Sequence, residues 1–444
     1  MEVAATIPMS DPREITVRMV LLGDKTGRVQ AILGQDDLLD LKSIKEQTGR
    51  DLVALNAIEL EELQSSNRLP SLECAPELYC LTTLLDSNIS EDLLSIMPSG
   101  DEGEVSLKPL NVEDVKNALL VSNHDLLSLD FGIDQASLVS TAPNPEQDAD
   151  RIVHSLKTFT SIRIKQRLED TLEIPTLPAT AQRIIQLRVD PDAVVSDLAE
   201  IVESDPSLAA QVVSWAASPY YAVPGKIRSV QDAIVRVLGF DLVGNLALGL
   251  ALGKTLELPK DKVDGVTPYW MQSIYCSTTV EAIVNLIPAD MKPSKGLTYL
   301  SGLLHNFGYL VLAHIFPPHF SQICRYMEAN PHISHMSVEN HLLQITREQI
   351  CLWLMELWNM PDEVKATIRY QHDPEYSGKH CAYPNIIFMA LRLLRQEDIG
   401  DAPLEEVPDE LFARYQLDRE EVVAKVKEII EASDEVAAIA QNFS

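Results

Sequence analysis

His305 is the residue best placed for chemistry in this 444-residue chain. It sits inside "TYLSGLLHNFGYLVLAHIF", with Asn306 next to it. An imidazole followed by a carboxylate would be half of a divalent-metal site, because neutral imidazole and carboxylate oxygens both bind such ions well. An amide does so only weakly. Since the segment is apolar on nearly all sides, a hydrogen-bonded core histidine is the simpler reading. A literal His-Asp pair at residues 124–125 lies in "NHDLLSLDFG", which has no apolar helix and no following glycine, so it reads as coincidence. The six cysteines form no C-x-x-C pair and read as reduced, buried thiols. "GLALG" follows no strand and reads as helix packing, not a phosphate loop. Trp215, Trp270, Trp353 and Trp358 fall in helical segments and read as core.

Composition narrows the function classes. Hydrophobic residues make up 46% and charged ones 23%, as in globular proteins, and the length predicts two or three domains. The net charge is −30. Residues 1–150 hold 10 Lys/Arg against 28 Asp/Glu, and residues 151–444 hold 26 against 38. Such a surface repels nucleic-acid phosphates and anionic membranes, so neither is expected as a partner. The opening "MEVAATIPMSDPRE" is acidic and lacks the apolar stretch of a signal peptide. With the reduced thiols, this predicts a cytoplasmic protein. The longest nearly uncharged run, "DLVGNLALGLALGKTLEL", is too short to span a bilayer.

Two patterns must position these residues. "EITVRMVLL" and "GRVQAIL" flank "GDKTG" and predict a β-hairpin. The helix "LLDLKSIKEQTG", the strand-like "DLVALN", an acidic helix around "AIELEELQSS" and two further strand-like segments ending in a helix follow. Together they predict a small α+β domain. "TAPNPEQDAD" (141–150) is linker-like. Beyond it the pattern is helical and no strand is expected. Asp205 with Pro206, Ser229 with Asp232, and Thr346 with Gln349 carry helix-start signals. Trp353, Leu354, Leu357 and Trp358 are expected to form one apolar stripe. The segment holding His305 is expected to be one central buried helix. "DADRIVHSLKTFTSIRIKQRLEDTL" carries five basic residues and predicts a connecting helix, for domain docking or for a partner.

The residues around His305 resemble the HD superfamily, metal-dependent phosphohydrolases with His-Asp in a "LLHDIGK"-like helix. More of the chain resembles the HDOD family, the HD-related output domain of bacterial signalling proteins. "LPATAQRII", "IVESDPSLAAQVV" and "IRSVQDAIVRVLGF" occur in its order, and "LWNMPDEVKATIRYQHDPE" resembles a later block. The resemblance covers about residues 166–395 and implies an all-α domain. Carried over position by position, the superfamily's first ligand His falls on Gln272. The His-Asp pair falls on His305 and Asn306, and a further His on Arg347. The His-His pair falls on Gln371 and His372, and the downstream Asp near Leu391. Tyr309 stands where a Lys often follows the pair. Two imidazoles remain with no aligned carboxylate, and Arg347 adds a fixed positive charge. The resemblance therefore implies a degenerate pocket with no metal and no cofactor.

The N-terminal hairpin, the "LDLKSIKE" helix and "LLDSNI" resemble YbaK/ProX-type aminoacyl-tRNA deacylases. That family's pocket Lys falls on Arg18, its preceding helical part is missing, and its Gly/Pro-rich loop has become "NRLPSLECAPEL". The resemblance implies a truncated domain with a degenerate deacylase pocket.

The expected fold class is thus multidomain α+β, a small mixed N-terminal domain followed by an all-α HD-like domain. The expected boundaries are 1–125, a linker and connecting helix at 126–165, the HDOD domain at 166–395 and a helical extension at 396–444. The expected function is non-catalytic regulation through protein partners of a signalling pathway, or sensing of a small anionic ligand near Arg347 and His305. The competing readings are an HD-type phosphohydrolase acting on nucleotides or cyclic dinucleotides, and a tRNA-editing deacylase.

Overall fold

The computed structural model describes residues 14–56, 58–60, 62, 81–89, 93–97, 110–111, 121–124, 128–129, 151–152, 154, 176–188, 190, 192–217, 226–432 and 437. The 141–150 linker and most of the basic helix that follows lie outside them. The chain forms two compact units. The first comprises Met1–Ile133, Val263–Gly265 and Gln322–Ile333; the second comprises Asp134–Lys262, Val266–Ser321 and Ser334–Ser444. The first unit thus takes in two segments from far along the chain.

The first unit is built on a mixed sheet. Its long strands are β1 (Glu14–Asp24) and β2 (Gly27–Gly34), which form the expected hairpin with Asp24 opposite Gly27. The Asp24 carboxylate shapes the Lys25–Thr26 turn by accepting from the Thr26 amide at 2.7 Å, and Arg50 clamps the same carboxylate at 2.6 Å. Next come β3 (Leu38–Leu39), α1 (Leu41–Thr48), β4 (Val53–Ala54), β5 (Thr82–Asp86), β6 (Leu93–Met97), β7 (Leu110–Asn111), β8 (Val121–His124) and β9 (Ser128–Leu129). The main sheet runs β7-β6-β1-β2-β5-β8, with β4 on the end of β1 and a separate β3–β9 pair. His124 therefore ends a strand. Asp40 caps α1, and Gly49 closes it in the left-handed region. The core joins Val20, Leu22, Val29, Leu33, Ile44 and Leu84.

Arg18 is buried in this unit. Its guanidinium donates to Ala329 O at 3.1 Å, Asp37 O at 3.0 Å and Asn330 Oδ1 at 2.6 Å. Burial lowers its pKa to about 10, with Asp37 opposing, so it stays charged at neutral pH. Asn330 is saturated in turn: Oδ1 also accepts from Leu39 N at 2.7 Å, and Nδ2 donates to Leu39 O and Tyr326 O. These bonds tie the residue 18 side chain into the packed interior.

The second unit is helical, and no strand occurs after residue 129 among the described residues. It opens with α2 (Ala179–Arg188), α3 (Val195–Glu203), α4 (Pro206–Ala216) and α5 (Val230–Ala233), which runs into a π-turn at Ile234–Leu238. Then follow α6 (Phe240–Gly253), α7 (Tyr269–Leu286), α8 (Lys295–Leu304), α9 (Phe307–Ile315) and α10 (Pro317–Ala329), whose residues from Gln322 on belong to the first unit. The last helices are α11 (His335–Leu343), α12 (Arg347–Leu357), α13 (Asp362–Tyr370), α14 (Ala382–Arg395), α15 (Asp409–Arg414) and α16 (Arg419–Glu431). Asp205, Ser229 and Thr346 all accept backbone N–H groups at their helix starts. No helix of the described residues is long and apolar enough to cross a membrane.

Two local expectations change. The apolar stripe of α12 is Ile350, Cys351, Leu354, Met355 and Trp358, while Leu357 is 55% exposed and Trp353 only partly buried. Leu357, one turn beyond Leu354, lies at the solvent edge of that stripe. The segment around His305 is two helices, α8 and α9, and the break falls on His305–Asn306. Its cause is tertiary. Close contacts hold the chain on both sides: a Cβ on Gly302 would lie 2.9 Å from Ser277 Cα, and one on Gly308 would lie 2.1 Å from Arg347 O. The freed carbonyl of His305 accepts from Gln371 Nε2 at 2.9 Å.

Candidate functional site

The broken helix places His305 and Asn306 at one wall of a pocket of about 20 Å³. Gln272 from α7, His335 from α11, Glu348 from α12, Gln371 and His372 after α13, and Asp401 from the loop after α14 share it. Five of the six aligned positions therefore come together here. Leu391, at the approximate place of the downstream Asp, is an apolar wall residue.

The sixth aligned residue, Arg347, reaches the site by hydrogen bonds. Its NH1 donates to Asn306 Oδ1 at 2.9 Å and to Asp401 Oδ2 at 2.6 Å. Its Nε donates to Glu339 Oε1 at 2.5 Å, and its backbone N–H to Glu339 Oε2 at 2.7 Å. The guanidinium also lies over the Tyr309 ring, 5.4 Å from its centroid. Burial works against the charge on Arg347, but Glu339, Asp401 and Glu348 outweigh it and push its pKa up. Asp401 responds in kind. Burial alone would raise it, yet Arg347 and His335 hold it at about 2. Burial pushes the Glu339 carboxyl up, but both its oxygens accept from Arg347, as an ionised carboxylate does. A buried cation thus sits between two carboxylates, the arrangement that keeps a buried charge tolerable.

The amides complete a closed network. Asn306 Nδ2 donates to Gln272 Oε1 at 3.3 Å, and Gln272 Nε2 donates to Thr267 O at 2.6 Å. His305 Nδ1 donates to Gly302 O at 2.7 Å, and burial lowers the pKa of this histidine. Amides and a guanidinium thus occupy positions 272, 306, 347 and 371, where the HD-superfamily resemblance implies metal ligands.

Beside this network lies a second group. His335 Nε2 is 2.8 Å from Glu348 Oε1, and His372 Nε2 is 3.4 Å from the same oxygen. His372 Nδ1 accepts from Arg392 NH1 at 3.2 Å, while Arg392 also binds Glu405 at 3.0 Å. Burial lowers His372 to about 4, against the opposing bond to Glu348. Burial and Arg347 disfavour a charged His335, but Glu348 outweighs them and leaves its pKa raised. Glu348 itself is held well below the usual range by the two histidines despite its burial.

Sequence reasoning missed His335, Glu339, Glu348, Arg392 and Asp401. His335 and Glu339 share a helix face at i, i+4, and Glu348 adjoins Arg347, so local spacing could have flagged them. Asp401 lies past residue 395 and carried no such signal.

An all-helical unit with a buried polar pocket between its helices defines the class. The model of the HDOD domain matches residues 174–374, inside the 166–395 span expected from the sequence. The chain therefore carries an HDOD domain. It is 42% identical to a crystallographically characterised Marinobacter aquaeolei VT8 protein whose name provisionally assigns it to signal transduction. The match covers 96% of this chain and 93% of that one, with a TM-score of 0.82. An HDOD domain protein of unknown function from Geobacter sulfurreducens shares the helical fold at 23% identity and a TM-score of 0.51, over 65% of this chain and 99% of that one. An uncharacterized protein of Treponema pallidum (strain Nichols) is 22% identical over 290 residues, 64% of this chain and 53% of that protein. The chain thus spans about half the length of that curated relative.

Proposed function

We propose that this protein is a non-catalytic, cytoplasmic signalling component whose degenerate HD-type unit works as an output module binding protein partners. The observation that carries this reading is the bond from Arg347 to Asn306. Metal-dependent phosphoryl hydrolysis needs a cation held by carboxylates and imidazoles with positions open for water and substrate. Here an aligned ligand position carries a guanidinium, bonded to the residue that replaces the paired Asp. The name of the Marinobacter relative is compatible with a signalling role.

Small-anion sensing at Arg347 gains no support from the geometry. Its charge is already met by Glu339 and Asp401, and a pocket of about 20 Å³ holds little more than a water molecule. Protein contact is therefore the form of regulation favoured. The deacylase reading of the first unit is likewise set aside, because Arg18 is engaged in the interior.

The test is turnover. Protein purified without chelators is assayed with nucleotides, cyclic dinucleotides and a chromogenic phosphodiester in the presence of Mn²⁺, Fe²⁺, Ni²⁺ or Mg²⁺. No hydrolysis above background is expected. Turnover abolished by His305→Ala would overturn the reading.

A further inference from the structure

We propose that His335, Glu348 and His372 form a binding site for one first-row transition-metal ion of the zinc class. The site is displaced from the aligned ligand positions and shares only His372 with them. It goes beyond the proposed signalling role and does not require it.

Four observations carry the proposal. One nitrogen of each histidine and one oxygen of Glu348 all lie within 4.8 Å of one another, and two imidazoles with one carboxylate suit zinc and its neighbours. Glu348 Oε2 and His335 Nδ1 are buried with no hydrogen-bond partner. Such orphaned atoms are rare in packed interiors, and the Glu348 oxygen is available as a ligand. The pocket touching all three residues has about 20 Å³ of space, the scale of one small occupant. Finally, the charges leave room for a dication. Glu339, Glu348, Asp401 and Glu405 oppose Arg347 and Arg392 across linked ion pairs. Four negative against two positive groups give −2 with both histidines neutral, which a divalent ion would balance.

Arg392 sets the cost of loading. A guanidinium only donates, so its bond to His372 Nδ1 places the ring proton on Nε2, facing Glu348. Metal binding at Nε2 moves that proton to Nδ1, and Arg392 then rests on Glu405, which it already contacts through two nitrogens. The ion also takes the place of the proton between His335 and Glu348. Glutamine at position 392 can instead accept from Nδ1–H, the usual outer support of a metal-binding histidine.

The experiment uses the full chain stripped with EDTA and titrated with Co²⁺, whose visible absorption reports coordination, then with Zn²⁺ in competition. Binding of one Co²⁺ per chain, displaced by Zn²⁺, is expected. His335→Gln and Glu348→Gln should each abolish saturable binding, with folding checked by circular dichroism. Arg392→Gln should tighten binding about tenfold. His305→Asn should leave it unchanged. Absence of one-to-one uptake would overturn the proposal, as would uptake that survives His335→Gln and Glu348→Gln. Uptake lost only in His305→Asn would place the metal at the aligned positions and overturn it too. The non-catalytic reading falls separately, on turnover alone.

Discussion

Arg347 donates to the side-chain oxygen of Asn306 at 2.9 Å, joining two residues 41 positions apart. The cation at this site is thus part of the polypeptide. Its charge is held in place by Glu339 and Asp401, and the energetics of the second unit depend on that balance.

Removing the charge should therefore be costly. Arg347→Met leaves the buried Glu339 without its guanidinium partner and with only the backbone N–H of residue 347, and should destabilise the second unit by about 3–5 kcal/mol in denaturant unfolding. The double change Arg347→Met with Glu339→Met should cost less than the sum of the single changes, with a coupling of about 1–3 kcal/mol. Additive effects would contradict the pairing.

Gly308 is the steric partner of that pair. A Cβ there would meet the Arg347 carbonyl oxygen at 2.1 Å, and backbone cannot swing away as a side-chain tip can. Gly308→Ala should gain about 1 kcal/mol of helix propensity yet lose about 1–3 kcal/mol to overpacking. A net fall in the unfolding midpoint is the expected result. A rise would mean that α9 and α12 separate easily.

The Asp401 pair carries a pH signature. Its folded pKa is about 2 against an ordinary 3.8, so its stabilisation is complete above the unfolded value and disappears as pH falls through the folded one. The difference in melting temperature between the native chain and Asp401→Asn should be constant above about pH 5. It should shrink as pH is lowered from about 4 toward 2. A gap that widens over that range would refute the assignment.

In the first unit, Arg18→Met removes three hydrogen bonds and leaves Asn330 Oδ1 with one fewer donor. A loss of about 2–3 kcal/mol is expected in unfolding monitored on the sheet. Release of amino acid from mischarged tRNA should be absent in both native and variant protein.

Legibility in the sequence followed the range of the interactions. The β1–β2 hairpin and the caps at Asp205, Ser229 and Thr346 depend on neighbours within a few residues, and they were readable. Gln272, His305, Asn306, Gln371 and His372 line one pocket, a grouping that the family resemblance supplied and local spacing cannot. The break at His305–Asn306 was invisible, since apolar residues run straight through it and its causes lie at Ser277, Arg347 and Gln371. Asp401 and Glu339 were missed for a related reason: an acidic residue reveals its partner only once the chain has folded.

Asn330 belongs to the first unit but lies within the stretch matched by the HDOD model. Its amide has both hydrogens and both lone-pair directions committed, to Arg18, Leu39 and Tyr326. The first unit is therefore no linear cassette. Residues 1–133 could not be added or removed as one block without orphaning one of these groups. A change at Asn330 would be scored as variation in the signalling domain while its damage appeared in the sheet. Positions 18 and 330 should accordingly drift together among relatives that retain both segments.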